Sequence, residues 1–256
     1  MTGTRRAVEL PVLLDGIRAE FDEAAGHVDA ISRVVEAVLA GLPVEAAAGS
    51  RTEVANLREA CRAVERQLDG MVVAAGDPAG LRATGARWIT DVGAPVSCLV
   101  AVASDAVLQT DDRWTGAAAD AYRAALPAQQ AALAAIVTTC QEVDVILDDL
   151  ASAITAFWIA IGAACLGLVL ALSGALGTAA TAVGVPAAAG IALAGVGALV
   201  AAGDEALSSL TEITATAASR SVALRRRVAD STAFPLGAWP RSTTGLRPGA
   251  SGWEVR

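Results

Sequence analysis

The chain contains no lysine, and all 19 of its basic residues are arginine. It has one histidine and one tyrosine, and aromatics make up only 4% of it. A single histidine, His27, cannot assemble a metal cluster or a Ser-His-Asp set, and it reads as a polar residue on a helix flank. The four cysteines, Cys61, Cys98, Cys140 and Cys165, show no Cys-x-x-Cys spacing, which removes zinc-ribbon and thioredoxin-type motifs. No disulfide pairing can be read from them. The adjacent acids Asp111-Asp112 and Asp148-Asp149 diverge by about 100° on a helix, so neither pair is a general acid with its base. No glycine-rich phosphate loop follows a strand. Catalysis, a cofactor and a bound metal are therefore not expected. The net charge of −8 excludes a nucleic-acid partner, which needs a basic face. The longest absence is of charge itself: from Leu150 to Gly203 no residue is charged.

What is abundant is apolar. Hydrophobic residues make up 54% of the chain and charged residues 18%, and the mixture, rich in alanine and poor in strand formers, favours helix. Leu10, Leu14, Ile17, Phe21, Ala24, Val28, Ile31, Val35, Val38 and Leu42 alternate steps of four and three, which is a heptad seam on one helix. Gly41 and Pro43 end it. Ser50, with Glu53 three residues on, predicts the start of a second helix through a capping box. From there Val54, Leu57, Cys61, Val64, Leu68 and Met71 repeat the seam. Together the two predict an N-terminal helical hairpin over 1–75.

Gly76-Asp77-Pro78 restarts the chain, with Asp77 as cap and Pro78 in the first turn. Helical spacing continues to Ala106, with a kink or break expected near Gly93 and Pro95. After Gly116 it resumes from Tyr122 to Leu150, through Pro127. A second hairpin is thus predicted over 76–150, with its bend at Trp114-Thr115-Gly116.

The charge-free stretch predicts a membrane-type hairpin over 151–203. Its first part carries Phe157, Trp158, Leu166, Leu168 and Leu170 and matches the roughly 20 residues that cross a bilayer core. Its second part is richer in alanine and glycine, and Gly190, Gly195 and Gly197 would let two helices approach closely. The competing reading is an alanine-rich hairpin buried in a soluble bundle. One further helix is predicted over 204–228, closing on Arg225-Arg226-Arg227, which complements the helix dipole. The tail 229–256, with its prolines, glycines and serines, is expected to be disordered. No apolar h-region follows Arg5-Arg6, so a cleavable signal peptide is not expected.

The segment 77–150 resembles the WXG-type helical hairpins of the type VII (ESX) secretion systems of actinobacteria. Trp114-Thr115-Gly116 matches the Trp-x-Gly placed between the two antiparallel helices of that family, and AAADAYRAALPAQQAAL resembles its second helix. The resemblance implies that Trp114, Gly116 and Tyr122 form a recognition patch for a helical partner or for secretion components. The family's Tyr-x-x-x-Asp/Glu export signal is absent, because Tyr122 is the only tyrosine and Leu126 stands four residues on.

The expectation is an all-α chain. Two long antiparallel hairpins form a four-helix bundle, followed by an apolar transmembrane hairpin, one further helix and a disordered tail. The expected function is binding and structural, within type VII secretion, at the cell membrane or beyond it by a route independent of a signal peptide. Its expected partners are a helical protein, the lipid bilayer and, as a homo-oligomer, its own copies. The alternatives are a pore-forming or toxin-delivery protein that stores an apolar hairpin, and a small helical membrane protein unrelated to secretion.

Overall fold

The structure is a computed structural model that describes residues 9–103, 116–180, 184–230 and 233–241. Among these residues every regular element is helical. Helix α1 (Leu10–Leu39) buries Ile17, Phe21, Ala24, Val28, Ile31 and Val35 of the stripe that the heptad spacing predicts; at its end Leu39 is buried, while the predicted Val38 is half-buried and Leu42 is exposed. Helix α2 (Val44–Val73) begins earlier than the capping-box signal implied. Ser50 lies within the helix rather than at its cap. The run Glu45 to Ala48 is a strong helix former, and burial of Ala47 rewards its inclusion. The charged flanks of the two helices meet where Arg51 reaches Glu36 at 3.3 Å and Arg58 reaches Asp29 at 3.9 Å.

Residues 74–77 join α2 to α3 (Pro78–Arg87), and Gly76 takes a φ of +83°, a region that favours glycine. A π-helical turn (Trp88–Gly93) then leads to α4 (Ala94–Val102), with Pro95 in its first turn. The expected interruption at Gly93 and Pro95 takes this form: the register widens so that the proline falls at a helix start. Helix α5 (Ala117–Thr178) passes through Pro127 and runs on into the apolar stretch without a break. Helix α6 (Gly184–Asp230) likewise joins the second apolar part to the predicted C-terminal helix. No breaker residue separates them, so propensity carries each helix through.

The chain divides into two compact units, Met1–Pro78 with Ser152–Ile213, and Ala79–Ala151 with Thr214–Arg256. In the first unit one core joins the stripes of α1 and α2 to Phe157, Trp158, Ile161, Leu168 and Leu172 of α5 and to Val185, Val196 and Leu199 of α6. The buried residues between 119 and 153 do not belong to it. Within this unit the stripe of the first hairpin is therefore covered by the apolar stretch. Trp158, Ile161, Leu168 and Leu172 bring large apolar side chains to this core, and stabilisation scales with area removed from water.

In the second unit Arg82 pairs with Asp148 at 2.9 Å and Arg220 with Asp149 at 2.6 Å, and Arg227 meets Glu142. Part of the tail is ordered there, contrary to expectation. A 3-10 turn (Pro235–Gly237) follows buried Ala233, and the Pro240 carbonyl accepts a hydrogen bond from Gln129 at 3.2 Å. The hydrogen bond from Gln129 of α5 to the Pro240 backbone is a contact that a composition argument cannot foresee.

Candidate functional site

The charge-free parts of α5 and α6 carry two different faces. On α5 the inward face is Phe157, Trp158, Ile161, Cys165, Leu168 and Leu172, all buried. The outward face is Ile159, Leu166 and Leu170, exposed by 48%, 48% and 64%. On α6 the inward face is Val185, Ala188, Ala192, Val196 and Leu199, and Ile191 and Val200 are exposed. Both faces are apolar, because no charged residue was available to either. An ordinary surface helix has a polar outer side, so this is a departure that burial in the first unit does not explain. Both helices are long and apolar enough to cross a membrane by length and composition.

The glycines expected to mediate close approach divide unequally. A Cβ on Gly195 would lie 2.8 Å from the Cβ of Ala171, so here the α6 backbone lies against the Ala171 methyl of α5. A Cβ on Gly190 or Gly197 would meet nothing within 4 Å, so neither mediates a close approach among the described residues. Gly162 faces α1, where a Cβ would lie 3.4 Å from Ile17.

Two polar contacts tie this segment to the first hairpin. The indole Nε1–H of Trp158 donates to the Ala75 carbonyl at 3.0 Å, within the joint after α2. His27 Nε2 lies 3.1 Å from Ser173 Oγ. His27 on a helix flank thus meets a hydroxyl of α5, and the same Nε2 lies 3.7 Å from the Glu23 carboxylate. One turn before Glu23, Glu20 is half-buried, and its Oε2 has no hydrogen-bond partner. Burial, reinforced by the Glu23 charge, holds its carboxyl above the usual range.

Of the predicted recognition patch, Trp114 lies outside the described residues. Gly116 has a φ of +104° and its carbonyl accepts the first hydrogen bond of α5, from Asp120 N–H at 3.1 Å. The backbone there takes the conformation that the tripeptide's glycine suggested. Tyr122 is half-buried on the second turn of α5.

A groove in the second unit carried no sequence signal. It measures about 440 Å³ and is lined by Thr138, Val145, Ile146, Leu224, Arg220 and Arg227 among others. Its two arginines are occupied by Asp149 and Glu142, so no cation is left to receive an anionic ligand. No family model, curated protein or solved structure matches the chain.

Proposed function

We propose that this chain is a non-catalytic helical binding and structural protein of the type VII secretion class, which places an apolar hairpin in a lipid bilayer. The observation that carries the reading is the outward face of Ile159, Leu166, Leu170, Ile191 and Val200, which stays apolar and exposed. Such a surface on a soluble chain marks an interaction site. Lipid is the partner that suits it, because residues 150–203 offer no charge to a protein partner on either helix.

The secretion assignment rests on the 76–150 segment. We read it as a helical hairpin, because its contacts run in opposite directions along the two arms. Arg82 meets Asp148, Gly85 lies against Asp144, and Gly93 lies against Cys140. In sequence Trp114-Thr115-Gly116 falls between the two arms, and Gly116 and Tyr122 stand at the start of the returning helix. A helical partner, a secretion component or a second copy of the chain would dock at this tip.

The test is fractionation of the tagged protein from an actinobacterial host, with and without a working type VII ATPase. ATPase-dependent appearance outside the cytosol, lost in Trp114→Arg, is the expected result. Unchanged membrane residence in every strain would leave a helical membrane protein unrelated to secretion.

A second reading is favoured by the cover that α1 and α2 lay over the inward face of the apolar segment. A protein that stores a hairpin under amphipathic helices and releases it into a target bilayer would be built this way.

A further inference from the structure

Resting on the membrane reading, we propose that α1 and α2 form one displaceable cover, and that the face of α5 and α6 beneath it becomes a second lipid-facing surface when the pair swings about residues 74–77.

The charges on the cover require movement. Asp15, Arg18, Asp22, Glu36, Arg51, Arg58 and Arg62 line the solvent side of α1 and α2 along their length. If the apolar hairpin crossed a bilayer with its cover in place, these charges would enter hydrocarbon, where ionised side chains are costly. The hairpin can span only after the cover has left.

The seam is made to part. No ion pair can cross it, since residues 150–203 are uncharged. The core contacts on both sides are apolar, and acyl chains can replace them at little cost because lipid tails are as apolar as leucine. Two polar side chains on the hairpin are satisfied within their own helix: Ser173 donates to the Val169 carbonyl at 2.9 Å, and Thr178 to that of Ala175 at 2.9 Å. Loss of His27 therefore leaves no orphaned group on α5. Trp158 would lose the Ala75 carbonyl, but it lies near the polar end of the apolar stretch, where an indole N–H finds headgroups. Packing along the α2 side is incomplete, with a cavity of about 30 Å³ among Leu68, Met71, Ile161 and Leu199.

The cover moves as one body because its halves hold each other. Arg51–Glu36 and Arg58–Asp29 cross between α1 and α2, and Ile31, Val35 and Leu57 are buried in the same core. Its covalent joint is the short non-helical link whose Gly76 has positive φ. The hydrogen bond from Trp158 to Ala75 pins that joint closed.

The test is a reversible lock. In a chain with Cys61, Cys98, Cys140 and Cys165 replaced by alanine, Ile17→Cys and Gly162→Cys would be oxidised to tie α1 to α5. Both forms would be mixed with vesicles of phosphatidylethanolamine and phosphatidylglycerol, floated, and treated with protease. Circular dichroism of both forms would establish that they are equally folded. The reduced protein should give a protected fragment containing 150–203, the oxidised protein none, and dithiothreitol should restore it. An oxidised form that yields the same fragment overturns the displaceable cover and leaves the membrane reading standing. If neither form floats or is protected, the membrane reading fails and the cover fails with it. Trp158→Phe keeps an aromatic side chain and removes the indole N–H that forms the pin, so the fragment should appear about fivefold faster, the equivalent of one hydrogen bond. An unchanged or slower rate counts against the joint.

Discussion

The indole of Trp158, 2% exposed, donates its N–H to the carbonyl of Ala75, which stands 83 residues away in sequence. The same ring packs edge to face on Phe157 with centroids 5.1 Å apart. One side chain thus fixes the apolar segment of α5 against the joint that ends α2. Trp158→Phe should lower stability by about 1 kcal/mol through the lost hydrogen bond. Trp158→Ala should cost roughly 3–5 kcal/mol through the cavity it leaves. Urea melts would separate the two, and equal losses would mean that packing of the ring contributes nothing beyond the hydrogen bond.

Two glycines on one helix should respond in opposite senses. Gly195→Ala places a methyl 2.8 Å from the Cβ of Ala171, which is fixed to the backbone and cannot turn aside. Overpacking of this kind costs about 1–3 kcal/mol. Gly197→Ala meets open space in a helix interior, so it should stabilise by roughly 0.5–1 kcal/mol. Thermal melts of the pair that moved in the same direction would contradict the close approach of α5 and α6 at Gly195.

The carboxyl of Glu20 is pushed up by burial and by Glu23. A raised native-state value means that folding favours the protonated form. Its contribution is therefore fully present below the unfolded carboxyl range and is lost as pH rises through the native value. Glu20→Gln should melt above the parent at neutral pH, and the gap should close as the solution is acidified. A gap that does not change with pH would show that the gain has another source.

The thiols should react in a set order. Cys98 is exposed, whereas Cys61, Cys140 and Cys165 are buried. Burial also pushes the thiols of Cys61 and Cys140 up, with Glu65 adding to the first and a backbone hydrogen bond partly offsetting the second. Mass spectrometry after brief maleimide treatment of the folded protein should find one label, on Cys98, and four after denaturation. Early labelling of Cys61 would mean that the α1–α2 seam opens readily in solution.

Much of the first hairpin was legible because a heptad stripe depends only on spacing, and Ile17, Phe21, Ala24, Val28, Ile31 and Val35 are buried as that spacing requires, although Leu39 takes the place of Val38 and Leu42 at the end. The start of α2 was misread because Ser50 and Glu53 have the composition of a cap, while the alanines before them propagate helix from Val44. What covers the stripe was not legible, since spacing reveals that a face is apolar but not which partner fills it. The same limit hid the docking of Pro240 on Gln129. The conformation of Gly116 was legible from its place at a helix start. The recognition role of Trp114 was inferred from a motif, and its side chain lies outside the described residues.

The most direct test of the account replaces Leu166 and Leu170 by aspartate. Both are exposed, by 48% and 64%, so the double variant should fold as the parent does if water is what they face. In a bilayer each acid would cost about 2.5–3.5 kcal/mol near the middle of a span. The account predicts that the parent floats with phosphatidylethanolamine–phosphatidylglycerol vesicles and that the variant, equally helical, stays at the bottom of the gradient. Equal flotation of both, or of neither, would contradict a lipid-facing surface on this helix.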